Sequence, residues 1–353
     1  MNTVTFPNLG LEFHLNNTAF ELFGLEIRWY AVIIATGFLC ALIFALTRCK
    51  EFGVDFDHMF DPVFWGVIAA VIGARAYFVI FHFDLYQDNL WEIFNIRGGG
   101  LAIYGGIIGG LSVGALVCKI KKIPALPLVD MAAIGFLIGQ GFGRWGNFMN
   151  VEAYGAATSP DFLFGMGSPK IASEMVAITG SYDPNILVHP CFLYESVWCL
   201  LGAIILLFYH KHRKFDGELT LLYLLWYGAE RAVVEGLRTD SLYIGETNIR
   251  VSQLLSAILV PISLGLLIFF YLRTAKRKKT DPAFIPLYRD TEASRLLLNE
   301  TRQKIEAEKK RKIEKRAKRA IIEESTEKII QEDKKEEESV NSEESVQNLE
   351  ENA

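Results

Sequence analysis

Arg75, Tyr104, Gln140, Arg144, Tyr194, Glu195, Tyr227, Glu230 and Arg231 all fall inside, or at the ends of, runs that are otherwise apolar. An ionisable group in such a run is costly to bury and by default marks a site. Tyr227, Arg231, Glu235 and Arg238 are spaced i, i+4, i+8 and i+11, which puts them on one helix face. Arg231 and Glu235 can neutralise each other, but Arg75 and Arg144 bring the arginines to three or more, and that surplus points to an anionic ligand. A planar guanidinium meets a phosphate diester through two parallel hydrogen bonds and stays charged at any relevant pH. The chemistry suggested is the handling of a lipid phosphate, the anion always present at that depth of a bilayer.

The densest polar constellation is GRWGNFMNVEAYG at 143–155, in which Arg144, Asn147, Asn150 and Glu152 stand among glycines that permit tight backbone turns. A structural re-entrant turn is the bland reading of such a stretch. Its length and specificity argue for a site.

The elements that must position these groups are membrane spans. Residues 1 to 272 hold 38 of the 77 charges and the last 81 residues hold the other 39, so the chain consists of two different materials. The first is too apolar for one soluble core. Runs at 29–46, 63–81, 101–118, 126–143, 191–209, 219–234 and 251–272 predict an all-α integral membrane protein with about seven transmembrane helices. Thirteen basic residues fall between alternate spans and after the last, against about six on the other side. The positive-inside rule then puts the N-terminus outside and the C-terminus in the cytoplasm. With that orientation the polar groups converge on the outer leaflet, and only Asp130 lies toward the cytoplasmic half, where it reads as a structural contact.

The predicted organisation is an extracytoplasmic segment over 1–28, a polytopic domain over 29–272 with an outer loop at about 156–190, and a charged cytoplasmic tail over 273–353. The tail carries a basic block at Lys309–Arg319 followed by an acidic one at Glu323–Glu351, and reads as a solvated helix fraying into disorder, dispensable for chemistry after about Thr280. No Lys or Arg precedes Arg28, so the basic region of a cleavable signal peptide is not expected. Cys40, Cys49, Cys118, Cys191 and Cys199 show no CxxC spacing and read as packing residues, with neither a disulfide framework nor a metal site expected. Gly106, Gly110 and Gly114, and Gly135, Gly139 and Gly143, are each four apart and predict close helix packing.

The 143–155 stretch resembles the signature of the bacterial prolipoprotein diacylglyceryl transferase family. Further family-like pieces follow in order: RWYAV at 28–32, GARAYFVIF at 73–81, GGGLAIYGGIIGG at 98–110, HPCFLYE at 189–195 and ERAVVEGLR at 230–238. The resemblance implies a multi-pass enzyme of the bacterial cytoplasmic (inner) membrane with its site facing the outer leaflet. Such an enzyme transfers an sn-1,2-diacylglyceryl group from phosphatidylglycerol to the lipobox cysteine of a prolipoprotein and releases glycerol phosphate. It implies phosphatidylglycerol, prolipoprotein signal peptides and the bilayer as partners, with no nucleic acid and no cofactor. By position, Arg144 would bind the lipid phosphate, with Asn147, Glu152 and Gly155 as further essential members. Tyr30, Tyr227, Arg231 and Glu235 match positions implicated in lipid binding or catalysis, and Arg75 joins the expected phosphate-binding group. The chain departs from a common pattern at Tyr104, where many members carry His; a phenol titrates near 10 and is a poor base at neutral pH.

A transporter would favour polar groups at the midplane and an internal repeat, neither of which is visible. A membrane scaffold would not need several arginines in one half of its spans.

Overall fold

A computed structural model describes residues 2–87, 89–95, 99–244, 247 and 249–318. The first 28 residues, expected only as a segment ahead of the spans, form two antiparallel hairpins: β1 (Asn2–Phe6) with β2 (Leu11–Leu15), and β3 (Thr18–Leu22) with β4 (Leu25–Arg28). Phe23 and Gly24 both have positive φ, as a two-residue hairpin turn requires. These are the only named strands among the described residues, and all else of regular structure is helical.

The helices are α1 (Trp29–Arg48), α2 (Phe56–Phe81), α3 (Ile103–Lys121), α4 (Ala125–Asn150), α5 (Pro169–Thr179), α6 (Cys191–Tyr209), α7 (Glu218–Val234) and α8 (Val251–Thr280). Six of them, α1 to α4, α6 and α8, are long and apolar enough to cross a membrane. The run expected at 219–234 is α7, whose 17 residues span about 25 Å, some 5 Å less than a hydrocarbon core. Two helices outrun the apolar pattern. Asp55 accepts the His58 N–H at 2.9 Å and starts α2 before Pro62, and α8 continues through Arg273–Lys279, basic residues that suit a helix C-terminus.

Helix α4 packs on α1, α6 and α7, while α2 pairs closely with α3, and α7 with α8. The glycines that make the closest approach are shifted from the expected face. A Cβ on Gly73 would lie 2.5 Å from the Gly105 carbonyl oxygen and one on Gly109 2.5 Å from that of Ala69, whereas at Gly106 the nearest atom is 3.4 Å away. In α4 an added Cβ meets only ordinary contact at Gly135 and open space at Gly139 and Gly143. Between the helices lies a core that includes Phe52, Met59, Ile134, Leu137 and Leu219. A second core joins Val4 and Phe6 of β1 to Phe148, Val151, Ile171, Met175 and Phe192, so the hairpin, the 156–190 loop and α5 pack as one head on the ends of α4 and α6. Thr5 of β1 and Gly167 of that loop exchange both backbone hydrogen bonds, at 2.8 and 2.9 Å.

After α8 the chain returns to the body. Leu287 is buried, the Tyr288 N–H donates to Asp216 at 2.6 Å, and Ser294 Oγ donates to the Gly53 carbonyl at 2.8 Å. Gly53, at φ 84, leaves room for the Arg289 backbone where no side chain could. The chain divides into two compact units, Met1–Arg295 and Leu296–Ala353. The basic block is helical and exposed as far as Lys318; Arg319 and the acidic block at 323–351 lie outside the described residues.

Candidate active site

Helix α4 ends by presenting one polar residue per turn. Arg144, Asn147 and Asn150 are three apart, and the chain then leaves the helix through Val151 (φ 52) and Ala153 (φ 56), a left-handed exit that is strained for residues other than glycine. That exit folds Glu152 back. Its Oε1 accepts Asn147 Nδ2 at 2.9 Å and Asn150 Nδ2 at 3.2 Å, and its N–H donates to the Asn147 carbonyl at 3.0 Å. Arg144 donates to Asn147 Oδ1 at 3.4 Å, so Arg144, Asn147 and Glu152 form one chain of hydrogen bonds. The Tyr30 ring, from the first turn of α1, lies against Gly146, where a Cβ would come within 2.5 Å of it.

The other side of Arg144 faces Glu195. This carboxylate, on the second turn of α6, is 1% exposed and binds three guanidiniums: Arg144, Arg231 at 3.4 Å and Arg238 at 3.2 Å. Arg231 also pairs with Glu235 at 2.5 Å, and Arg238 holds Asp240 bidentately at 2.7 and 2.9 Å. Burial works against the charged form of Arg238, but Asp240 and Glu195 outweigh it and hold the guanidinium above its ordinary value. Tyr227 stacks on Tyr223, whose hydroxyl accepts Gln140 Nε2 at 3.0 Å.

Gly155 ties the two halves together. Its N–H donates to the His189 carbonyl at 2.9 Å, the next N–H donates to the Leu237 carbonyl at 2.7 Å, and a Cβ would lie 2.8 Å from His189 and 2.9 Å from Cys191 Sγ. Beside it, Tyr154 donates to Glu174 of α5 at 2.6 Å; burial and that carboxylate hold the phenol above its ordinary value, so it stays a donor.

The structure thus brings together Tyr30, Arg144, Asn147, Glu152, Gly155, Tyr227, Arg231 and Glu235. It does not bring Arg75 to them. Arg75 donates to the carbonyls of Ile93, Glu92, Gly99 and Gly100 at 2.6 to 3.0 Å and lies over the Tyr86 ring, so its guanidinium is spent on the loop between α2 and α3. The Tyr104 hydroxyl, on the first turn of α3, makes no hydrogen bond among the described residues, and Tyr104 takes no part in the cluster. The third arginine of the cluster is Arg238. The surplus of positive charge inferred from the sequence is also corrected, because Glu195, Glu235 and Asp240 match Arg144, Arg231 and Arg238 one for one. Glu195 is the hub that residue spacing did not single out; its signal was a lone carboxylate in the apolar run at 191–209.

By fold and site this is a polytopic membrane protein built around a buried arginine–carboxylate centre. The family model described as prolipoprotein diacylglyceryl transferase matches residues 17–269. The chain is 42% identical over 294 residues to the phosphatidylglycerol–prolipoprotein diacylglyceryl transferase of Staphylococcus haemolyticus strain JCSC1435, covering 83% of this chain and 98% of that protein. Proteins of the same name from Staphylococcus aureus strain Newman (42% over 281 residues, 79% of this chain and 95% of the relative) and Listeria innocua (40% over 270 residues, 76% and 93%) are similar to it as well. The chain belongs to the prolipoprotein diacylglyceryl transferase family and is a membrane transferase.

Proposed function

We propose that this protein transfers the diacylglyceryl group of phosphatidylglycerol to the lipobox cysteine thiol of prolipoproteins, forming a thioether and releasing glycerol phosphate. The observation that carries the reading is the Glu195-centred cluster, in which Arg144 and Arg231 share one carboxylate oxygen and Arg144 keeps guanidinium N–H groups free for a second anion. The reaction is attack of sulfur on an sp3 carbon with a phosphate monoester leaving. Negative charge grows on the leaving phosphate, and donors fixed in a water-poor site stabilise it most strongly. Arg144 is assigned as the phosphate anchor, with Asn147 and Glu152 holding its orientation. Arg231 and Tyr227 flank it, Glu235 steadies Arg231, and Tyr30 walls the site beside Gly146. Gly155 acts through the backbone link to Leu237.

Seven spans with α7 as a short one, an outward N-terminus and a site facing the outer leaflet of the bacterial cytoplasmic membrane complete the proposal. The distribution of basic residues supports it, since Arg48, Lys50, Lys119–Lys122, Lys211–Lys214 and Arg273–Lys279 all lie at the helix ends opposite Arg144 and Glu195. The deciding experiment reconstitutes the purified chain with phosphatidylglycerol and a lipobox peptide, and reads the peptide by mass spectrometry. A diacylglyceryl adduct on cysteine is expected; an unmodified peptide overturns the reading.

A further inference from the structure

Four carboxylates around the arginine cluster have partners. Glu195 has three guanidiniums, Glu235 has Arg231, Asp240 has both prongs of Arg238, and Glu152 accepts from Asn147 and Asn150. Glu230 differs. It is 5% exposed, and neither side-chain oxygen has a hydrogen-bond partner among the described residues. It lies on the inward side of α7, one residue from Arg231 and three from Tyr227.

The charged and titratable groups that face it are Arg144 from α4, Glu195 and Cys199 from α6, and Tyr227, Arg231 and Arg238 from α7 and its continuation. Helix α8, packed against α7, brings no ionisable side chain before Tyr271. Glu195, Glu235 and Asp240 already match the three arginines, so Glu230 can gain or lose a proton without stranding a cation. No donor among the described residues holds the Glu230 carboxylate, which leaves both of its oxygens open to a proton.

We propose that Glu230 is the proton-transfer group of the reaction, a proposal that rests on the transfer chemistry above. The Glu230 carboxylate takes the S–H proton while the sulfur electron pair forms the bond to the glyceryl carbon. The carbon–oxygen bond to phosphate breaks, and its electron pair stays on the phosphate oxygen. Glu230 then hands its proton to that phosphate, which departs as a monoester monoanion. One proton has moved from sulfur to phosphate, and the carboxylate is regenerated.

The test uses the full chain in phosphatidylglycerol proteoliposomes with a lipobox peptide, with kcat and KM followed across pH. Glu230→Gln keeps the shape and removes the titration. It is expected to lose about 100-fold in kcat and the acidic limb of the parent's profile, with KM for the lipid within about twofold. Glu230→Ala, checked for folding by thermal unfolding, is expected to regain at least about tenfold of its lost rate when formate supplies a carboxylate to the vacated space. A Glu230→Gln variant with the parental kcat and limb, or a folded Glu230→Ala variant indifferent to formate, overturns the proposal. A parent that forms no thioether sinks the transfer reading itself, whereas an active parent with an equally active Glu230→Gln variant sinks only the role of Glu230.

Discussion

Arg144 joins two networks, the buried ion pairs of Glu195 and the hydrogen-bond chain through Asn147 to Glu152. Its planar fork and its charge can be separated by substitution. Arg144→Lys keeps the charge and loses the fork; with charged hydrogen bonds worth about 1.5 to 3 kcal/mol, the transfer rate should fall about ten- to a hundredfold. Arg144→Ala should approach background, yet stay folded, because Glu195 retains Arg231 and Arg238. A folded Arg144→Ala variant with near-parental turnover would pass the anchor role to Arg231. The opposite variant, Glu195→Ala, strips one carboxylate from three guanidiniums at once. Removing one member of a buried ion network costs about 3 to 5 kcal/mol, so this variant should show a marked drop in thermal unfolding temperature that Arg144→Ala does not share. The structure gathers Arg144, Arg231 and Glu152, which the sequence marks as candidates because charge in an apolar run has few bland explanations. Arg75 was misplaced by the same logic: at a span end, backbone carbonyls satisfy a guanidinium as well as a phosphate does, and sequence does not say which is near.

At the scale of elements, the site depends on how α7 is aimed. Asp130 of α4, which the sequence marks as a structural contact, accepts the Gly217 N–H at 2.8 Å and the N–H and hydroxyl of Thr220 at 2.9 Å. It therefore caps α7 from a neighbouring helix and satisfies donors that the helix cannot satisfy itself. Trp198 and Trp226 reinforce the alignment, stacked at 4.4 Å with each indole N–H on the other's carbonyl. Asp130→Asn replaces a double acceptor by an amide with one carbonyl oxygen. It should lower stability by about 1 to 3 kcal/mol and reduce transfer although it lies far from Arg144 along α4; unchanged melting and activity would contradict the capping role. At the exit of α4, Ala153→Gly should relieve the left-handed strain and raise stability by about 1 kcal/mol, measured by thermal unfolding. The long apolar runs announced seven of the helices, α1 to α4 and α6 to α8, since length and hydropathy leave little choice in lipid. Helix α5 and the hairpins were missed because they are short, and what holds them is the shared core around Val4 and Ile171 rather than any periodicity of their own.

For the whole molecule, the boundary between body and tail is set by contacts far apart in sequence. A cut near Thr280 looked harmless from composition, but it removes buried Leu287 and the bonds of Tyr288 and Ser294 to the loops at Asp216 and Gly53. Truncation after Thr280 should cost about 2 kcal/mol or more and lower the unfolding temperature, whereas truncation after Lys318 should leave both stability and transfer unchanged. Equal melting of the two shortened chains would show that the 281–295 segment contributes nothing. Composition alone decided that this chain lives in a membrane, because a body with so few charges and such long apolar runs has no aqueous fold to adopt. Helix spacing alone put Tyr227 and Arg231 on one face of α7, whereas Glu235 caps that helix and Arg238, expected on the same face, lies beyond its end. Only the tertiary structure decided that Glu195 sits among Arg144 of α4, Arg231 of α7 and Arg238 beyond it, that Arg75 is spent on a loop and that Glu230 has no hydrogen-bond partner among the described residues. Such facts depend on which helices touch and at what rotation, and these are settled by the packing of glycines, tryptophans and caps between segments that the order of residues along one helix does not encode.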